Sequence, residues 1–208
     1  MGVSKEQAAE NRRAIVAAAT ALFRERGVDG VGLSELMKQA GFTQGGFYNH
    51  FASKEALVAE VVATAMAQSG ETLARAPKRP APDAGTAVQR YVDRYVSESH
   101  RDNIERGCPV IGFAAGVPRF GAEAQASYAA GVEGMIEHLE RLLADSGASD
   151  DAVPLREQTT RLYCEMAGAL VLSRAVKATA PKLANEILAA TRRGLTRTPR
   201  AKRATKRA

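Results

Sequence analysis

Residues 41–51 read G-F-T-Q-G-G-F-Y-N-H-F, and the run before them constrains how they fold. Leu33, Leu36, Met37 and Ala40 recur at i, i+3, i+4 and i+7, which marks one face of a helix over 33–40. Gly41 stops that helix, because glycine takes the left-handed position after a helix end at little cost. Thr43 then suits an N-cap. In the helix it opens, Phe47 and Phe51 turn inward together, Gly45 and Asn49 lie opposite, and Gly46, Tyr48 and His50 flank them. Two short helices joined by a tight turn thus expose a polar, almost bare face. This is a helix-turn-helix pattern, in which the second helix enters the major groove of DNA by its N-terminus.

The rest of the chain reads as helix. Alanine is abundant, tryptophan is absent and β-branched runs are few. Ser4 with Gln7 resembles a capping box for a first helix, whose inner stripe is Ile15, Ala19, Leu22 and Phe23 and which Gly27 ends. Arg12 and Arg13 near its start suit either phosphates or plain solvent. Gly32 with Glu35 opens the second helix, and Ser53 caps a fourth with Leu57, Val61, Ala65 and Leu73 inward. Residues 77–85 carry three prolines and read as a loop, after which Asp83 caps a fifth helix bearing Val88, Tyr91, Val92 and Tyr95. The chain should fray over 100–107. Pro109 suits the first turn of a sixth helix, 109–116, since its missing N–H has no intrahelical partner there. A seventh helix covers 124–144 with Val132, Met135, Ile136, Leu139 and Leu143 inward. Two more cover 155–177 and 181–195, with Leu155, Leu162, Met166, Ala169, Leu170 and Val176 inward on the first, and Leu183, Ile187 and Leu195 on the second.

The segment L-S-E-L-M-K-Q-A-G-F-T-Q-G-G-F-Y-N-H-F-A-S-K-E-A-L resembles the DNA-binding segment of TetR-type transcriptional regulators. Ala40-Gly41, Tyr48, Phe51 and Ser53-Lys54-Glu55-Ala56-Leu57 carry the resemblance, at that family's spacing. It covers roughly the first quarter of the chain. Two positions depart from the family: Gly32 stands where Thr or Ser usually caps the helix, and Gly46 where a small hydroxyl or alanine is usual. The resemblance implies an all-α protein with a three-helix DNA-binding head at 1–56, a ligand-binding and dimerisation domain at 57–197, and a basic tail at 198–208. It also implies a homodimer paired through the last two long helices, Leu170 included, and double-stranded operator DNA as partner. The implied function is repression of transcription, released by a small effector.

Chemistry assigns roles within that frame. Ser34, Thr43 and Tyr48 offer hydroxyls for phosphate oxygens, and Lys54 adds a charge at the start of a helix. Gln44 and Asn49 are amides that grip adenine bidentately in the major groove, and His50 suits a base or the backbone. Gly45 and Gly46 are costly in a helix, roughly 1 kcal/mol each against alanine. Adjacent, they allow the backbone to approach DNA closely. Tyr91, Tyr95, Phe113, Phe120, Tyr128, Met135, His138 and Met166 are candidate lining for an apolar or aromatic effector, each also readable as ordinary core.

Cys108 lies at a helix start, where the dipole favours thiolate. The Gly107-Cys108 pair resembles a TetR-type branch that senses electrophiles or oxidants, so a thiol-sensing repressor is the alternative reading. Cys164 falls in an apolar stripe and reads as structural. With three histidines and no hydrolase, phosphate-loop or metal-ligand pattern, catalysis has little to build on; a Cys108–His138 pair is the one conceivable start. No cofactor or metal is expected, and enzyme is the reading of another class.

Charge and hydropathy bound the setting. Arg192, Arg193, Arg197, Arg200, Lys202, Arg203, Lys206 and Arg207 end the chain without an acid among them. These eight cations exceed the formal net charge of +6 and leave the remainder at −2, so the basicity belongs to a tail that should not fold alone. No apolar run approaches a membrane span, the N-terminus lacks a signal-peptide core, and two distant cysteines make no disulfide framework. A cytoplasmic protein is expected.

Overall fold

The computed structural model describes residues 4–74, 86–147, 149 and 152–196, and every described element is helical. The 77–85 loop, the Asp83 cap and the basic tail lie outside the described residues. In order the helices are α1 (Lys5–Arg26), α2 (Leu33–Gln39), a 3-10 helix (Gln44–Asn49), α3 (Lys54–Ala74), α4 (Ala87–Tyr95), α5 (Glu98–Asp102) and α6 (Pro109–Phe113). A 3-10 turn (Val117–Arg119), α7 (Ala122–Ser146), α8 (Leu155–Val176) and α9 (Pro181–Thr196) follow.

The chain forms two compact units. The first comprises Met1–Arg79 and Ser99–His138. Ser4 caps α1 by accepting the Gln7 N–H at 3.1 Å, while the Gln7 side chain turns to Asn11 instead of closing the box. Ile15, Val16, Ala19 and Phe23 of α1 are buried, and Leu22 is only half-buried. They pack with Leu36 and Met37 of α2, Phe47 and Phe51, and the Leu57, Val61, Val62 and Ala65 stripe of α3. The segment expected to fray contains α5, a single helical turn. α6 ends at Phe113, earlier than expected, and packs on both α1 and α3.

The second unit comprises Pro80–Glu98 and Leu139–Ala208. Thr86 caps α4 by accepting the Gln89 N–H at 3.2 Å, and Val88, Tyr91, Val92 and Tyr95 are buried as their spacing predicts. α8 and α9 form the main helix pair, locked by a buried hydrogen bond from the Ser173 hydroxyl to the Ala184 carbonyl at 2.8 Å. Three sequence readings are corrected here. α9 buries Ala184 and Leu188, whereas Leu183 is 45% exposed. Leu170 is wholly buried within the chain, so it is not a surface contact. Cys164 is exposed, on the face of α8 shared with Gly168, Val171, Leu172 and Ala175. Periodicity locates a stripe but cannot tell which of two apolar stripes faces the chain itself.

Candidate nucleic-acid interface

The turn between the two short helices is closed by backbone geometry. Gly41 has φ +86°, the left-handed region. Its N–H donates to the Lys38 carbonyl at 3.1 Å, and the Phe42 N–H donates to the Met37 carbonyl at 2.8 Å. These are the two bonds of a Schellman ending, which satisfy the last carbonyls of α2 and fix the direction of the departing chain.

Residues 44–49 then form a 3-10 helix, tighter than the α-helix expected. Two consecutive glycines disfavour the α form and a single turn gives little to propagate. Thr43 occupies the N-cap with extended backbone, but its side chain makes no capping bond. Neither Gly45 nor Gly46 has a positive φ. A Cβ on Gly45 would meet nothing within 4 Å, and one on Gly46 only Met37 and Thr43 at an ordinary 3.8 Å. Nothing inside the fold therefore requires these glycines.

Packing beneath the helix is firm. Phe47 and Phe51 are buried and stacked with ring centroids 5.6 Å apart. Above them Gln44, Gly45 and Asn49 are exposed, and Tyr48 is 68% exposed with its ring edge against Phe47. Ser34 and Thr43 are exposed too, while Gly46 and His50 are half-buried. The sequence-predicted residues thus share one small structure, apart from Lys54. The Lys54 ammonium is occupied within the head: it donates to the carbonyls of Val28 and Val31 at 2.7 Å each and lies 6.0 Å from the Phe23 ring. Ser53 caps α3 as expected, accepting the Ala56 N–H at 3.2 Å.

Residues 15–61 match the family model of bacterial regulatory proteins of the tetR family. In this head, a little under a quarter of the chain, the sequence is similar to the TetR family. Among its relatives, an uncharacterized HTH-type transcriptional regulator, YdgC of Bacillus subtilis (strain 168), is 43% identical over 58 residues, 28% of this chain and 30% of that one. The HTH-type transcriptional repressor BepR of Brucella suis biovar 1 (strain 1330) is 36% identical over 75 residues, 36% of each chain. These matches span about a third of the relatives' length. The fold is shared over a greater length: the reduced form of E. coli NemR superposes with a TM-score of 0.73 at 22% identity, covering 92% of this chain and 99% of that one.

Beyond the TetR-family head, the candidate effector residues divide between the units. Tyr91, Tyr95 and Met166 are buried in the second, where Tyr95 stacks on Tyr91 and meets Tyr163 edge-on. Phe113 and Met135 are buried in the first, and Phe120, Tyr128 and His138 are half-buried there.

Cys108 is buried as the N-cap of α6, and its backbone N–H donates to Nε2 of His100 at 3.0 Å. Around it, the Arg24 guanidinium donates to the carbonyls of Glu105 at 2.8 Å and Gly107 at 3.3 Å. Burial lowers the Arg24 pKa, with the charge of Cys108 acting the other way. The Tyr128 hydroxyl donates to the Val110 carbonyl at 2.8 Å. Burial, and then the charge of Cys108, pushes its pKa up to about 12. Sequence reasoning missed Arg24 and Glu60, the partner of Arg12. Each meets its partners only through packing, across 48 residues for Arg12 and Glu60, and no local pattern marks them. Among the described residues no helix is long and apolar enough to cross a membrane, and no cluster of His, Cys, Asp or Glu suits a metal ion.

Proposed function

We propose that the chain is a DNA-binding transcriptional regulator, working as a homodimeric repressor that leaves a palindromic operator when a small apolar or aromatic effector binds. One observation carries the reading: a six-residue helix held on two buried phenylalanines while Gln44, Gly45, Tyr48 and Asn49 face solvent. Gln44 and Asn49 read base edges; Ser34, Thr43, Tyr48 and His50 meet phosphates or sugar; Gly45 and Gly46 let the backbone come close, which fits their having no task inside the fold. The division of labour is a head at 1–56, a regulatory domain at 57–197 and a basic tail that adds sequence-independent attraction.

Subunit pairing uses the face of α8 that carries Cys164, Gly168, Val171, Leu172 and Ala175, with Leu183 on α9. Val171 and Leu172 are 46% and 57% exposed, an unusual waste of apolar surface in a lone subunit. Release follows if the effector favours a dimer whose heads no longer match the half-sites, which is a difference in affinity between two states. No catalytic role is assigned.

Duplexes selected by the full chain from a random-sequence library test this directly. A paired, inverted motif bound as a dimer supports the reading, and failure to enrich any sequence removes it.

A second reading rests on Cys108, which is buried at the N-cap of α6, with its N–H on Nε2 of His100 and the Arg24 guanidinium on the neighbouring Gly107 carbonyl. In it, modification of the thiol takes the place of effector binding. Iodoacetamide reaction slower than with a free thiol, or release from DNA that survives Cys108→Ser, eliminates that reading and leaves the effector reading alone.

A further inference from the structure

A 3-10 helix of six residues with two glycines has little stability of its own, so its pose must be imposed by its surroundings. Phe47 and Phe51 hold it from below. Its far end is the harder problem, because the last carbonyls of a helix have no partner within it. The C-cap is His50. Its carbonyl accepts a hydrogen bond from Nη1 of Arg12, a residue of α1.

The same guanidinium makes four more contacts. Nε donates to both carboxylate oxygens of Glu60 on α3, at 3.1 and 2.9 Å, and Nη2 donates to the second of them. The plane lies 4.1 Å over the Phe51 ring. One side chain therefore joins α1, the end of the reading helix and α3. Only arginine presents a planar fork able to serve a carbonyl, a carboxylate and an aromatic face at once. Its charge is also met by a carboxylate, which makes it a poor candidate for a phosphate.

We propose that Arg12 is a positioning residue for sequence reading: clamped by Glu60, it sets the pose of the reading helix through the His50 carbonyl and does not itself touch DNA. The inference rests on the DNA-reading function proposed above. Bidentate base contacts need placement within about 0.5 Å, so a slackened clip loses discrimination before it loses attraction. Phosphate contacts tolerate more, since they act mainly through charge.

The test uses full-length protein, one duplex selected from a random library by the wild type, and a random-sequence duplex of equal length. Affinities are measured across a salt series, below the thermal midpoint of each variant. Arg12→Gln and Glu60→Gln should each cut the ratio of selected to random affinity by about three- to tenfold, with the salt slope unchanged. Glu60→Gln is decisive, because it removes a negative charge from the head. If charge alone mattered, it would tighten both duplexes equally and keep the ratio. That result overturns the proposal, as does a salt slope that falls by about one unit in Arg12→Gln with the ratio intact. Should Arg12→Gln not fold, Glu60→Gln decides alone. If the wild type selects no duplex, DNA reading itself fails and this role with it; if the wild type selects and the variants discriminate equally well, only the clip fails.

Discussion

Replacing Lys54 by methionine separates two roles that a lysine in this position can have. The structure commits its ammonium to the Val28 and Val31 carbonyls, both at 2.7 Å, so it ties the start of α3 to the loop between α1 and α2. Hydrogen bonds to a charged group contribute about 1.5–3 kcal/mol each when well buried. Lys54 is half-buried, and water can replace part of each bond, which reduces the figure to about 1 kcal/mol apiece. Methionine keeps the apolar stem, so packing is largely preserved. It also removes a cation from the first turn of α3, where the helix dipole is unfavourable to it by roughly 0.3–1 kcal/mol. The net loss is about 1–2 kcal/mol. For a chain of this size that lowers the melting temperature by roughly 2–8 °C. Circular dichroism at 222 nm measures it, and a salt series with the selected duplex runs in parallel. Expected is a lower midpoint with an unaltered salt slope. An unchanged midpoint with a slope reduced by about one unit would refute the reasoning and return Lys54 to the phosphates.

Two other perturbations probe the remaining assignments. Leu170→Ala should cost about 2–5 kcal/mol of stability through a core cavity and leave the proposed self-association intact, whereas Val171→Glu should keep the fold and dissociate the proposed dimer. Sedimentation velocity beside a thermal melt distinguishes them, and a stable Val171→Glu dimer would show that α8 pairs elsewhere. Tyr128 should ionise near pH 12, against an ordinary 10, as a late absorbance step at 295 nm that Tyr128→Phe removes. Because the folded-state pKa is the higher one, this group's stabilisation is complete below pH 10 and is lost as pH rises from there through about 12. A titration without any step above pH 11 would argue against a buried phenol donating to Val110.

The head was legible because its signals are local. Gly41 sits where a left-handed residue is needed, Phe47 and Phe51 lie one turn apart, and Ser53 precedes a helix start by one position. Each is a statement about neighbours within five residues, which backbone sterics and capping chemistry settle without the rest of the fold. The long helices were legible for the same reason, and their register was not. α8 carries apolar residues on two faces, and composition alone cannot rank them: Leu170 and Val171 are adjacent and alike in hydrophobicity, yet one is wholly buried and the other 46% exposed.

The charged residues show the same boundary most clearly. Sequence alone determined that residues 33–51 form a helix, a glycine turn and a short helix with a bare face, since each step depends on contacts within a turn or two of chain. It could not determine what the cations of that head do. Arg12 and Lys54 look from the sequence like solvent-facing or DNA-facing charges, yet each is engaged with carbonyls inside its own unit, as is Arg24, which no local pattern marks. Tertiary structure decided that, because a long flexible cation takes its partner from whatever acceptor packing brings within 3 Å. For Arg12 that acceptor is a carboxylate 48 residues away and the carbonyl that ends the 44–49 helix. A carbonyl left without a donor at a helix end costs free energy wherever it is shielded from water, and only the folded arrangement of α1 and α3 sets which side chain can reach it.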